Sequence, residues 1–223
     1  MKKKWINRKG NMACILFFNG WGMDEQVLNG IDHSGFDVCH LNDFSDTDPF
    51  QAVDFPYDKI IVVAWSLGVC FASNILSVSK LKITQSLAIN GTPLAWHDEL
   101  AIPHATFKQT LDGWNNRNRF KFNLRMFGGK SELEKAAKQL SQRSNESQKS
   151  ELEYFYRLGH PAPVPNFSWD RTVVGMNDQI VPPTHQLRFW EANTKVIRTD
   201  WNHYPFFDIT NWHELFKLTG NVY

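Results

Sequence analysis

Ile60-Ile61-Val62-Val63-Ala64-Trp65-Ser66-Leu67-Gly68-Val69 is the stretch on which the fold turns. An apolar, β-branched run stops at a serine set between small residues, and an apolar helical stretch from Val69 to Leu76 follows. This is the sequence form of a nucleophile elbow, a tight strand-to-helix turn that projects a serine Oγ from the top of a sheet. The turn is strained and closely packed, so the positions two before and two after the serine must be small. Gly68 meets that demand. Ala64 stands where the G-x-S-x-G pattern has its first glycine, a departure of one methyl group.

Downstream residues supply the partners that such a serine needs. Hydrolases with this elbow carry an acid and then a histidine later in the chain, each on a loop after a strand. Arg171-Thr172-Val173-Val174 reads as a strand and ends at Gly175-Met176-Asn177-Asp178, where a loop leaves the Asp178 carboxylate free to orient an imidazole. The next strand-like stretch, Thr194 to Thr199, is followed by Trp201-Asn202-His203-Tyr204-Pro205, which places His203 as the general base. Plainer readings exist: a serine can cap the helix it precedes, and an aspartate can bond its own turn. Asp170, Asp200 and Asp208 are rival acids without the strand-glycine-loop setting. His213 is a rival base, but its surroundings read as a terminal amphipathic helix.

Near the start, Ile15-Leu16-Phe17-Phe18 runs into Asn19-Gly20-Trp21-Gly22. A glycine-rich turn after a buried strand can turn backbone N–H groups toward an open space, and acyl transfer needs two such donors for the developing alkoxide. The N–H of Trp21 and that of Leu67, the residue after the serine, are assigned that role. The Trp21 side chain is then one wall of the acyl pocket.

Strand-like runs recur near 13–18, 36–41, 59–65, 83–90, 172–175 and 195–199, with helical stretches between several of them. That alternation predicts an α/β fold with a mostly parallel sheet covered by helices. At 223 residues the chain suits a single domain. From about 93 to 166 the composition is helical and polar. Inserted between two core strands, this region is expected to form a helical cap, with Pro161-Ala162-Pro163-Val164-Pro165 as its return to the core. A formal net charge of +1 gives no global case for nucleic-acid or membrane binding. Cys14, Cys39 and Cys70 all sit in apolar runs, which fits reduced thiols in a cytoplasmic protein. Lys2-Lys3-Lys4 is basic, but the apolar run after it is short and strand-like, so no secretory leader is expected. No run has the length of a transmembrane helix, and no spaced His/Cys/carboxylate cluster suggests a metal.

Four stretches together resemble a known family. Phe18-Asn19-Gly20-Trp21-Gly22-Met23-Asp24, Val63-Ala64-Trp65-Ser66-Leu67-Gly68-Val69, Ala88-Ile89-Asn90-Gly91-Thr92, and Ile102-Pro103 through Phe107-Lys108 to Thr110-Leu111 are similar to the BioG type of pimeloyl-acyl-carrier-protein methyl ester esterase. The resemblance runs from about residue 12 to about 213 and is weakest between roughly 130 and 168. It implies an α/β-hydrolase fold, with helices on both faces of the sheet, and removal of the methyl group from the pimeloyl methyl ester on acyl carrier protein. That step ends the pimelate-forming branch of biotin synthesis. The roles it carries over, Ser66 as nucleophile, Asp178 as acid and His203 as base, are those read above. The Ala64-Trp65-Ser66 form is itself a feature of this type. Many other esterases of the fold have a histidine where Asn19 stands, which leaves the backbone donors untouched.

A carrier partner gives meaning to one more pattern. Lys108, Arg117, Arg119, Lys121, Arg125 and Lys130 lie in a stretch whose only acid is Asp112, and Phe120, Phe122, Leu124 and Phe127 interleave with them. Acyl carrier proteins are acidic, so Arg117, Arg119, Lys121 and Arg125 are candidate contacts that would steer docking more than add affinity. An ordinary solvated helix face reads the same way.

The expected chemistry is a two-step acyl transfer through Ser66, without metal or cofactor. A general carboxylesterase or thioesterase would use the same residues on another acyl group, because fold and triad do not set the substrate. A carbon–carbon hydrolase shares the triad. A ligand-binding receptor on a silent hydrolase scaffold would have no need of all three residues. Dehalogenase chemistry is excluded, since it needs an aspartate at position 66.

Overall fold

The structure, a computed structural model, describes residues 1–45, 55–159, 164–192 and 194–220. Among them, seven strands form one sheet: β1 (Lys2–Asn7), β2 (Ala13–Phe18), β3 (Asp37–Asn42), β4 (Lys59–Trp65), β5 (Gln85–Ile89), β6 (Arg171–Gly175) and β7 (Lys195–Thr199). Their order is β1-β3-β2-β4-β5-β6-β7, and every neighbouring pair is parallel except β1 with β3. Six of the strands are those read from the sequence.

The central strands explain themselves by composition. β2 is buried along its whole length, and β4 is buried after its first residue. Unbroken apolar runs of this kind suit a parallel sheet covered on both faces. Side chains alternate across the pleat, so each strand feeds two cores. Cys14, Leu16, Phe18, Val62 and Ala64 join one core with Val69, Cys70 and Phe71 of helix α1 (Leu67–Leu76). Ile15, Phe17, Ile61, Val63 and Trp65 join the other with Trp212, Leu215 and Phe216 of helix α7 (Trp212–Leu218). Helices therefore cover both faces, as in the α/β-hydrolase fold. Cys14, Cys39 and Cys70 are buried and form no disulfide among the described residues, and burial pushes the Cys70 thiol up to about 12.

β1 had no sequence signal. Its lysines are exposed, and the strand owes its order to antiparallel pairing with β3 from Lys2↔Asn42 to Asn7↔Val38. Edge strands carry charge because their outer rim faces water, so hydropathy does not find them.

Between β5 and β6 the chain builds α2 (His104–Asp112), α3 (Asn116–Phe127), α4 (Lys130–Lys135), a 3₁₀ turn (Ala136–Lys138) and α5 (Asn145–Leu158). The ends follow local rules: Asn115 and Ser144 cap α3 and α5 through side-chain oxygens, and Gly128 ends α3 at φ 91°. This insertion feeds both cores, Phe107, Leu152 and Phe155 on one side and Met126, Phe127 and Leu133 on the other. Of the proline run expected to lead back to the core, residues 161–163 lie outside the described residues; β6 follows, and then α6 (Pro183–Trp190). No helix among the described residues is long and apolar enough to cross a membrane.

Candidate active site

Ser66 sits between β4 and α1 at φ 57°, ψ −131°, a conformation costly for any residue with a Cβ. Close packing holds it there. Its N–H donates to the Ile89 carbonyl at 2.9 Å, and its carbonyl accepts from Val69 at 3.0 Å. A Cβ on Gly68 would lie 2.4 Å from the carbonyl oxygens of Phe18 and Asn19, and one on Gly91 would lie 2.3 Å from the Ser66 carbonyl oxygen. Ala64 is fully buried between Phe18 and Ala88 in register, where a methyl group still fits. Ser66 is the N-cap residue of α1, yet its side chain makes no capping bond.

That hydroxyl instead meets His203, whose Nε2 is 2.9 Å from Ser66 Oγ. His203 Nδ1 is 2.8 Å from Asp178 Oδ2. Asp178 follows β6, and its Oδ1 accepts the N–H groups of Ile180 (2.7 Å) and Val181 (3.0 Å). The turn role and the role beside the histidine thus fall to different oxygens of one carboxylate. With Oδ2 as acceptor, the imidazole proton belongs on Nδ1, and Nε2 is left to accept from serine. All three residues are buried. The rivals stand elsewhere. Asp170 precedes β6, at the opposite edge of the sheet, and accepts from Ser86. His213 packs on Phe36 from α7.

Several supporting residues escaped the sequence reading. Gln186 of α6 donates from Nε2 to Asp178 Oδ2 at 3.1 Å and to the Val181 carbonyl at 2.9 Å. Trp65 Nε1 donates to the His203 carbonyl at 2.7 Å. Asn90, fully buried at φ 48°, ties three loops together: Nδ2 donates to the carbonyls of Asn202 (2.9 Å) and His203 (3.0 Å), and Oδ1 accepts from Gly175 N–H (2.7 Å). Its only sequence trace was a place in a strand-end motif. Asn90→Ala strands those buried backbone groups and keeps the left-handed backbone without asparagine's tolerance for it. We expect a loss of about 3 kcal/mol in urea unfolding, together with a lower kcat as the His203 loop loosens.

Ser66, Leu67, His203, Gly20 and Trp21 line a cavity of about 320 Å³ whose other walls are Trp65, Ile102, residues of α2, α3 and α5, and Gln179 and Ile180. Trp21 stacks edge-on to Trp114 (4.5 Å) and Phe122 (5.1 Å), so it is a wall between loop and insertion. Among the described residues, the N–H groups of Trp21 and Leu67 have no protein acceptor. Leu67 opens α1, where the first amides have no partner within the helix.

The basic stripe is split by its surroundings. Arg117, Lys121 and Arg125 are exposed along α3 at four-residue spacing, none paired with a carboxylate among the described residues, and Arg125 lines the cavity. Arg119 departs from them. Its guanidinium donates to the carbonyls of Ser141 and, at 2.7 Å, Arg143, which ties α3 to the segment before α5. Lys108 pairs with Asp112. Phe120, one of the aromatic residues that interleave with these charges, is 55% exposed, because its place on α3 points away from both cores.

Known proteins are similar to this chain in sequence and in fold. A family model described as pimeloyl-ACP methyl esterase BioG matches residues 1–215. The crystal structure of BioG from Haemophilus influenzae is similar at 28% identity and a TM-score of 0.87, covering 96% of this chain and 99% of that one. An esterase from Exiguobacterium antarcticum, at 14% identity and a TM-score of 0.72, covers 98% of this chain and 92% of its own and shares the fold. A Bacteroides fragilis protein named malonyl-[acyl-carrier protein] O-methyltransferase is 37% identical over 86% of this chain, and the chain spans 39% of that relative's length. With the sheet order, the elbow and a match across nearly all its residues in agreement, the chain belongs to the BioG family of α/β-hydrolase-fold esterases.

Proposed function

We propose that the protein hydrolyses the methyl ester of pimeloyl-acyl carrier protein, the step that ends pimelate formation for biotin, by a serine acyl-enzyme route in the cytoplasm. The observation that carries this reading is the unbroken line Asp178–His203–Ser66 at the wall of the cavity. Ser66 Oγ attacks the ester carbonyl while His203 Nε2 takes its proton, and Asp178 holds the imidazole in the tautomer that allows this. The N–H groups of Trp21 and Leu67 receive the oxyanion. His203 then protonates the departing methoxide to give methanol, and water, deprotonated by His203, attacks the acyl-enzyme; the proton returns to Ser66 Oγ as the free acid leaves. No step draws on a metal or cofactor.

The cavity is near the lower end of the roughly 300–1,000 Å³ usual for small-ligand pockets, which suits a slender acyl chain. Region 93–166 acts as the cap that excludes water. The exposed cations Arg117, Lys121 and Arg125 receive the acidic carrier, and Arg119 is held back by its carbonyl partners. The Bacteroides relative fits the same scheme: we read the matched 39% as its esterase part, with the transferase of its name in the remainder.

Incubation with pimeloyl-acyl carrier protein methyl ester is expected to lower the carrier's intact mass by one methylene, at a rate that falls with added salt. Unchanged mass from an enzyme that still labels with a fluorophosphonate would overturn the substrate. Failure to label would overturn the serine mechanism.

A further inference from the structure

We infer that Glu151 and Gln148, on α5 of the insertion, are positioning residues for the oxyanion donor: they hold the Trp21–Gly22 backbone so that the Trp21 N–H is left for substrate. The inference rests on the serine-hydrolase reading above and adds residues that no part of the catalytic chemistry requires by itself.

Three successive N–H groups make the case. That of Gly20 is taken by the Asn19 side chain, donating to Oδ1 at 2.9 Å. That of Gly22 is taken by Glu151, donating to Oε2 at 2.9 Å. The N–H between them, on Trp21, has no protein acceptor among the described residues, and Trp21 lines the same cavity as Ser66 and Leu67. The loop commits the outer two donors and leaves the middle one.

Each flank is held by a different part of the molecule. On the core side, Asn19 Nδ2 donates to the Asp24 carbonyl and lies 2.9 Å from His40 Nε2. Burial pushes the His40 imidazole down to about 3, so it stays neutral and accepts. On the insertion side, Gln148 Nε2 donates to the Gly22 carbonyl at 2.7 Å, and the Gln148 carbonyl accepts Trp21 Nε1 at 2.7 Å. Gly22 has φ 73°, and a Cβ there would come within 3.2 Å of Gln148 Nε2. The glycine thus serves both the turn and the approach of α5.

Packing alone does not account for these side chains. α5 buries Gln148 and Glu151 on the same face as Leu152 and Phe155. A helix that only covered a core would carry apolar residues there, because a buried carboxylate is costly unless its oxygens are satisfied. Glu151 is fully buried and well satisfied: Oε1 accepts Phe44 N–H at 2.9 Å, and Oε2 accepts Gly22 N–H and, at 2.6 Å, Arg143. Arg143 in turn pairs with Asp43 at 3.0 Å. The charge cluster binds α5, the loop after β2 and the loop after β3 into one unit. The oxyanion donor is therefore built partly by the insertion, and a disturbance of α5 reaches the chemistry.

The test uses Glu151→Gln and, because the first variant turns an amide NH₂ toward a backbone N–H or Arg143 and risks misfolding, Gln148→Met as a milder second. Each is assayed on a small aryl ester, with inhibition by a trifluoromethyl ketone, whose serine adduct places an oxyanion between the same donors. Loss of a whole donor costs about 10²–10³ in kcat, so a displaced donor should cost about 10–100-fold. KM should move by less than about threefold, and the ketone's affinity should fall in step with kcat/KM. Melting temperature is read alongside. A variant that melts earlier but keeps its kcat and its ketone affinity would make Glu151 and Gln148 anchors only, and overturn the inference. A wild-type enzyme that neither turns over the ester nor labels with fluorophosphonate would overturn the reading beneath it instead.

Discussion

Ser66→Ala is expected to lower kcat by roughly 10⁶-fold, the scale at which a serine hydrolase loses its nucleophile, while the protein stays folded. Both halves of that expectation come from geometry. Among the described residues the Oγ has one partner, His203 Nε2, so on the proposed reading its removal abolishes attack and deletes one hydrogen bond. The bond is worth about 1 kcal/mol, or about 2–4 °C in melting temperature for a chain of this size. The strain at φ 57° belongs to the backbone and Cβ, which alanine retains, so little is regained. Burst kinetics on an activated ester and a melting curve decide the matter. Appreciable turnover by this variant would move the chemistry to another residue.

Asp178→Asn should cost about 10⁴-fold in kcat, again with the fold preserved. Asp178 Oδ1 faces two backbone donors, the N–H groups of Ile180 and Val181, so an asparagine must place its oxygen there. Its NH₂ then takes the place of Oδ2, facing His203 Nδ1 and Gln186 Nε2. Gln186 can turn its amide and accept, since its Oε1 now has no partner among the described residues. His203 has to answer by moving its proton to Nε2, and an imidazole protonated there cannot accept from Ser66. The pH–rate profile separates this from simple unfolding: the variant should be slow across the neutral range, with a melting temperature close to that of the parent. A loss below about tenfold would mean that Asp178 does not set the tautomer.

Six parallel strands, the elbow and the order Ser66, Asp178, His203 were legible because each rests on local rules. A strand buried on both faces must be apolar throughout, as β2 and β4 are. A tight strand-helix turn must have small neighbours, as Ala64 and Gly68 are. Side chains that meet at one edge of a parallel sheet must leave strand ends, as Asp178 and His203 do. β1 escaped because an edge strand is ordered by hydrogen bonds to its neighbour, which leave no mark on hydropathy.

The charged and amide residues divide along the same line. By itself the sequence determined where charge is concentrated in the insertion, and that a serine, an acid and a histidine follow strands. Tertiary structure alone decided that Arg119 serves carbonyls instead of the exposed row of Arg117, Lys121 and Arg125. It likewise decided that Asn90 would pin the His203 loop, and that Glu151, 129 residues beyond Gly22, would reach its N–H. The physical reason is the same in each case. A buried polar group is defined by a partner brought to it by the fold, and sequence spacing says nothing of contacts made across such distances.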